Sequence, residues 1–185
     1  MPKTIYVTGI TGFIGSNLLS YLLKSFDQVV NFTRNEYIQI IDREKLKEIK
    51  FSNKFIIENP SNFLINLATL YQPYPRTFKD LEKLVEANIL FPARVINNFN
   101  SIENFKIINA VSYHQLLDFN VQNIYSLSKE LFKKFIDNQI FEIVNIYIFD
   151  TFGTGDSRNK VTDIFIKNVL SGQPITIPKN EININ

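Results

Sequence analysis

The residues of this chain best suited to proton chemistry are a tyrosine and a lysine four positions apart, in Tyr125-Ser126-Leu127-Ser128-Lys129. On a helix that spacing places both side chains on one face. A free phenol, with a pKa of about 10, is a poor acid–base group at neutral pH. A neighbouring ammonium favours the phenolate and draws the phenol toward its working range. Tyr-x-x-x-Lys also arises by chance on helix surfaces, so its weight depends on what surrounds it.

What precedes it is a glycine-rich turn, Thr8-Gly9-Ile10-Thr11-Gly12-Phe13-Ile14-Gly15-Ser16, which ends 109 residues before Tyr125. Gly9 suits a tight turn, Gly12 lets backbone N–H groups approach a pyrophosphate, and Gly15 lets a helix pack close to a strand. A glycine pattern alone is weak. Between a strand and a helix it is a dinucleotide-binding signal, because the positive end of the helix then faces the phosphates.

The elements around these motifs supply that context. A β-branched run at 4–8 predicts the first strand, and Leu18, Leu19, Leu22 and Leu23 predict a helix over 15–26. Strands are expected at 28–33, 37–41, 62–67, 105–110 and 142–149, with another starting at 175–177. Helices are expected at 43–57, 78–98, 125–138 and 161–170, with Pro92 interrupting the second of these. Such alternation predicts an α/β fold, a parallel doubly wound sheet with helices on both faces. Residues 1–172 read as the nucleotide-binding domain and 173–185 as the start of a further lobe.

The second strand ends Asn31-Phe32-Thr33-Arg34. An acid at the end of this strand usually binds the adenosine ribose of NAD, whereas an arginine nearby accommodates the 2′-phosphate of NADP. Thr33 stands where the acid is expected. Arg34 can grip a phosphate in a bidentate fork, so NADP is favoured over NAD; the alternative is that Arg34 is a surface loop residue. Asp42 is a candidate for the adenine end and equally a helix N-cap before Arg43.

Together these motifs resemble the extended short-chain dehydrogenase/reductases, a family of NAD(P)-dependent sugar-nucleotide epimerases, dehydratases and reductases. The glycine spacing is similar to the family's T-G-x-x-G-x-x-G. Leu64-Ile65-Asn66-Leu67-Ala68-Thr69 looks like its H-L-A-A strand, with Asn66 in place of the usual histidine. Glu86-Ala87-Asn88 resembles its E-x-N segment, and Phe152-Gly153-Thr154-Gly155-Asp156 its Y-G-P-G-D loop. The resemblance implies strand order 3-2-1-4-5-6 and a cofactor held by Gly9, Thr11, Gly12, Phe13, Ile14, Gly15, Leu67, Ala68, Thr69, Asn88, Lys129 and Phe152. It also implies a catalytic set of Ser112, Tyr125 and Lys129. Ser112, 13 residues before Tyr125, would hydrogen-bond the reacting oxygen; otherwise it only caps a strand end. Lys129 would orient the nicotinamide ribose, Tyr125 would exchange the proton, and hydride would pass between the sugar carbon and the nicotinamide.

Family dehydratases usually follow the serine or threonine with Asp-Glu, whereas Tyr113 and His114 follow Ser112 here. Dehydration is therefore disfavoured, leaving 4-epimerisation or 4-keto reduction. The segment 107–114 with Tyr125 and Lys129 looks most like sugar-nucleotide 4-ketoreductases that make CDP-linked dideoxyhexoses. A nucleotide sugar is the expected substrate. Family members run longer, so the chain reads as lacking most of the lobe that builds the sugar pocket. A cofactor-binding module or an inactive remnant, without catalysis, is the competing reading. Family members commonly form homodimers, and one is possible here.

Composition narrows the alternatives. With no cysteine, disulfides, thiolate catalysis and Cys-based metal sites are excluded, and the one histidine cannot build a multi-histidine zinc site. Twenty basic against eighteen acidic residues give a net charge of +2, with no electrostatic case for a nucleic-acid partner. No apolar run approaches the roughly 18 residues of a membrane span. The N-terminus has no signal-peptide core, and a cytoplasmic location is expected.

Overall fold

The computed structural model describes residues 3–34, 46–50 (backbone only), 62–116, 123–156, 158 and 160–175. They form two compact units, Met1–Phe149 and Asp150–Asn185. The first contains strands β1 (Thr4–Thr8), β2 (Gln28–Thr33), β3 (Leu46–Lys50), β4 (Phe63–Asn66), β5 (Lys106–Ser112) and β6 (Glu142–Ile148). They form one parallel sheet in the order β3-β2-β1-β4-β5-β6, as the resemblance implied.

Alternation along the strands decides which face each helix covers. Ile5 and Val7 of β1 and Val29 of β2 pack with Leu22 of helix α1 (Phe13–Ser25). Tyr6, Val30, Phe32, Leu64 and Ile107 point the other way. They meet Phe91, Val95 and Ile96 of α3 (Phe91–Asn97) and Phe132 and Ile136 of α4 (Ile124–Asp137). Helices thus lie on both faces. All five β1 residues are buried, as befits a central strand of a covered parallel sheet.

The helix expected over 43–57 is corrected: residues 46–50 are strand β3, paired with β2 from Val29↔Leu46 to Thr33↔Lys50. Leu46 and Ile49 are three apart, which mimics a helical stripe. Without β3, however, β2 would leave a row of backbone donors and acceptors open. That pairing is decided by the sheet, and the lysines of Leu-Lys-Glu-Ile-Lys suit an edge strand. The strand expected at 37–41, Asp42, and residues 176–177 lie outside the described residues.

The long helix expected over 78–98 is three segments. Helix α2 (Phe78–Val85) opens with a capping box between Thr77 and Asp80. Its bond pattern holds Asp80 below the usual carboxylate range, chiefly through the Thr77 hydrogen bond. A π-helical turn then spans Glu86–Leu90, closed by the Phe91 N–H donating to Glu86 O, and α3 follows with Pro92 in its first turn. The proline has no N–H for Asn88 O, and its ring crowds that carbonyl. The chain answers with a widened turn before the proline.

In the second unit, helix α5 (Val161–Leu170) follows a turn in which Arg158 binds Asp156 and Thr151. The Arg158 hydrogen bond holds the Asp156 carboxyl below its ordinary range.

Candidate active site

Every parallel strand delivers its carboxyl end to the same edge of the sheet, so the ends of β1, β4 and β5 are neighbours there. The glycine turn follows β1 directly. Gly9 has φ +76°, a left-handed backbone that favours glycine, and a Cβ on it would lie 2.6 Å from Ala68 N. At Gly15, a Cβ would lie 2.3 Å from Gly9 O and 2.5 Å from Ile10 Cα. Side chains are thus excluded at the two places where the turn meets the loop after β4 and where α1 meets the turn. Gly12 caps α1 in extended geometry, and no side chain caps that helix end. Thr11 and Gly12 are exposed, Phe13 and Ile14 half-buried. This is a cradle suited to a diphosphate.

The loop after β4 forms the next wall. Leu67 N–H donates to Thr8 O (3.2 Å) and Ala68 N–H to Thr8 Oγ1 (3.1 Å). Thr8 Oγ1 in turn donates to Asn66 Oδ1 (2.7 Å), Asn66 Nδ2 to Asn109 Oδ1 (2.9 Å), and Asn109 Nδ2 to Asn145 Oδ1 (3.0 Å). Asn145 Nδ2 ends the row on Asp137 Oδ1 (3.3 Å). The register places Thr8, Asn66, Asn109 and Asn145 side by side across four strands. Sequence reasoning missed this ladder, although its signal is visible: β4, β5 and β6 carry Leu-Ile-Asn, Ile-Ile-Asn and Ile-Val-Asn in matching places.

Asn88 fastens the same loop to α4. Its Oδ1 accepts from Leu70 N–H (2.7 Å) and Thr69 Oγ1 (3.2 Å), and its Nδ2 donates to Leu70 O (3.2 Å) and Ser128 Oγ (2.9 Å). Ser128 Oγ donates onward to Tyr125 O (2.7 Å). The π-turn sets Asn88, only 1% exposed, at this junction. Glycine turn, loop and α4 are therefore one connected frame, which brings together two motifs far apart in the chain.

Tyr125 and Lys129 lie one turn apart on α4, 8% and 4% exposed. Burial draws the Lys129 ammonium down to about 8, and among the described residues no neighbouring charge offsets it. Ser112 ends β5, also 8% exposed. Its Oγ accepts from His114 N–H (3.3 Å), which leaves the hydroxyl proton to donate. Its N–H donates to Gln115 Oε1 (2.8 Å), and Gln115 Nε2 donates to Glu130 Oε2 (3.0 Å). Gln115 therefore ties the end of β5 to α4 beside Lys129, and nothing in the sequence pointed to it. His114 stacks on Tyr113, and Tyr113 on Phe149. A second unforeseen residue, Tyr71, meets the Tyr125 ring edge to face.

Arg34, exposed, directly follows β2, with its guanidinium 5.6 Å from the centre of the Phe91 ring. Asp42 lies outside the described residues. Phe152 is exposed in the second unit. Among the described residues there is no cluster of three or more metal-ligating side chains, and no helix is long and apolar enough to cross a membrane. A glycine cradle and a buried lysine with no counter-charge among the described residues both fit a nicotinamide dinucleotide.

The NAD dependent epimerase/dehydratase family model matches residues 5–183. The chain belongs to this family. Among similar members, CDP-abequose synthase of Yersinia pseudotuberculosis is 25% identical over 194 aligned residues, covering 98% of this chain and 67% of that protein. The CDP-abequose synthase of Salmonella typhimurium is 25% identical over 172, covering 86% and 57%. Bordetella bronchiseptica WbmF, solved in complex with NADH, superposes with a TM-score of 0.76 at 20% identity, over 95% of this chain and 61% of its own. UDP-glucuronic acid 4-epimerase from Bacillus cereus, in complex with NAD, gives 0.69 at 20% identity, over 94% and 65%. This epimerase/dehydratase family chain thus spans about three-fifths of the length of those solved structures.

Proposed function

We propose that the protein binds a nicotinamide dinucleotide and reduces the 4-keto group of a nucleotide-linked hexose. The observation that carries this reading is the buried Lys129, held one turn from Tyr125 and joined through Ser128, Asn88 and Leu70 to the glycine turn. Gly9, Thr11, Gly12 and the start of α1 would hold the diphosphate, with Leu67, Ala68 and Thr69 along the neighbouring wall. When bound, the reduced nicotinamide supplies the hydride of the reduction.

The chain's own residues handle the proton. Tyr125 gives its phenolic proton to the C4 oxygen, and Ser112 donates a hydrogen bond to that same oxygen. Lys129, close enough to favour the phenolate left behind, lowers the cost of that step. Burial keeps water from competing for the phenol. The ketone suits this site better than a dehydration, because Tyr113 and His114 occupy the positions after Ser112 and supply no carboxylate. Kinship with the CDP-abequose synthases supports the 4-keto reduction.

For the cofactor, the neighbouring structures carry NAD or NADH. Arg34, fixed over Phe91 at the end of β2, favours NADP through its fit to a 2′-phosphate. Exposed Leu131 and Phe135 on α4 support a homodimer through that helix. Calorimetric titration with NADPH and NADH, repeated on Arg34→Ala, tests the cofactor. An Arg34-dependent preference for NADPH is expected; tight NADH binding indifferent to Arg34 would remove it. Loss of NADPH-dependent reduction of a nucleotide 4-keto-6-deoxyhexose in Tyr125→Phe tests the chemistry. Cofactor binding with no turnover in the unmodified protein would leave a binding module.

A further inference from the structure

Tyr71 is an aromatic side chain left 55% exposed beside the most buried chemistry of the molecule. Its ring centre lies 4.9 Å from that of Tyr125, with the planes at 76°. Exposure on a loop usually means freedom. Here the preceding residue is clamped at both backbone groups, Leu70 N–H to Asn88 Oδ1 and Leu70 O to Asn88 Nδ2. Asn88 is itself anchored to Ser128 on the helix that carries Tyr125. The loop is therefore built to hold an exposed ring against the catalytic phenol. The edge-to-face contact is favourable by itself, and it restricts how the Tyr125 ring can tilt.

Resting on the proposed 4-keto reduction, we propose that Tyr71 is a specificity-determining residue whose free ring surface receives the pyranose ring of the substrate. A sugar whose C4 oxygen reaches the Tyr125 hydroxyl comes beside the Tyr71 ring, whose centre lies 4.9 Å from the centre of the phenol ring. The segment Thr69-Leu70-Tyr71-Gln72-Pro73-Tyr74 carries no charged residue, so it offers no ionic handle to a uronic acid. What an aromatic face offers is contact with the C–H face of a sugar, which is larger in a 6-deoxyhexose than in a hexuronic acid. Tyr71 thereby selects for a neutral, weakly hydroxylated ring and sets the angle of the phenol that works on it.

The experiment compares the full chain with Tyr71→Phe and Tyr71→Ala, measuring NADPH affinity and the kcat and KM for a nucleoside-diphosphate 4-keto-6-deoxyhexose. Tyr71 is exposed, so both variants are expected to stay folded, with Tyr71→Ala melting no more than a few degrees below the parent. Tyr71→Ala should raise KM about tenfold or more, with NADPH affinity unchanged within about twofold. Tyr71→Phe, which keeps the ring, should restore KM to within about threefold of the parent. Parent-like KM and kcat in Tyr71→Ala would overturn the assignment while leaving the reductase reading intact. A matching loss of NADPH affinity would overturn it too, by placing Tyr71 at the cofactor. An unmodified chain that binds NADPH but neither binds nor reduces the sugar nucleotide would sink the reductase reading and this inference with it.

Discussion

Replacing Lys129 with methionine should make the cofactor-free protein more stable and abolish its chemistry. Lys129 is 4% exposed, and burial lowers its pKa from an ordinary 10.5 to about 8. Each pH unit of such displacement corresponds to about 1.4 kcal/mol, so holding this ammonium in the fold costs about 3 kcal/mol at neutral pH. The sign follows from proton counting. Between pH 8 and 10.5 the unfolded chain binds more protons at this lysine than the folded one, so stability rises with pH there. Below pH 8 both states are protonated and the full cost applies. Methionine has a similar length and no charge to desolvate. Urea unfolding at pH 7 should therefore show Lys129→Met more stable by about 2–3 kcal/mol, with the gap falling below about 1 kcal/mol at pH 10. Groups that do not interact with Lys129 titrate alike in both proteins and cancel in the difference. A variant less stable than the parent at pH 7, or a gap that ignores pH, would show that the ammonium is compensated in the fold and not held in reserve for a ligand.

The polar ladder across the sheet should be graded from the inside outward. Asn109→Ala removes two bonds at a fully buried position and strands the buried Asn66 amide, costing about 2 kcal/mol or more in urea unfolding. Asn145→Ala, at the half-buried outer end, should cost under about 1 kcal/mol because water can replace it; equal costs would refute the gradient. Gly15→Ala forces a methyl to 2.3 Å from Gly9 O, so α1 must shift off the turn. Fluorescence titration should then show NADPH affinity at least about tenfold weaker, whereas unchanged affinity would detach the turn from cofactor binding.

Elements with strong local signals were legible in the chain. Strands 4–8 and 28–33 and helix 161–170 match their expected bounds, because each is a periodic run flanked by turn residues. Helix α1 begins at Phe13 rather than at residue 15, because Gly12 in extended geometry caps it without help from a side chain. Where the reading failed, a partner elsewhere in the fold decided the outcome. Residues 46–50 have a weak pattern of their own, and β2 made them a strand. The π-turn before Pro92 depends on a helix long enough to carry the proline instead of ending at it.

The candidate site divides the same way. Glycine spacing and the Tyr125–Lys129 interval are local geometry, so residue type and order alone were enough to mark the tight turn before α1 and the Tyr–Lys pair on one helix. Gln115, Tyr71 and the Asn66–Asn109–Asn145 ladder matter only through partners 15 to 54 positions away, such as Glu130 for Gln115 and Tyr125 for Tyr71. Whether an amide is buried, which carbonyl it meets, and whether a lysine loses its water are settled when strands and helices close on one another. No stretch of the chain carries that information until the sheet has put its ends side by side.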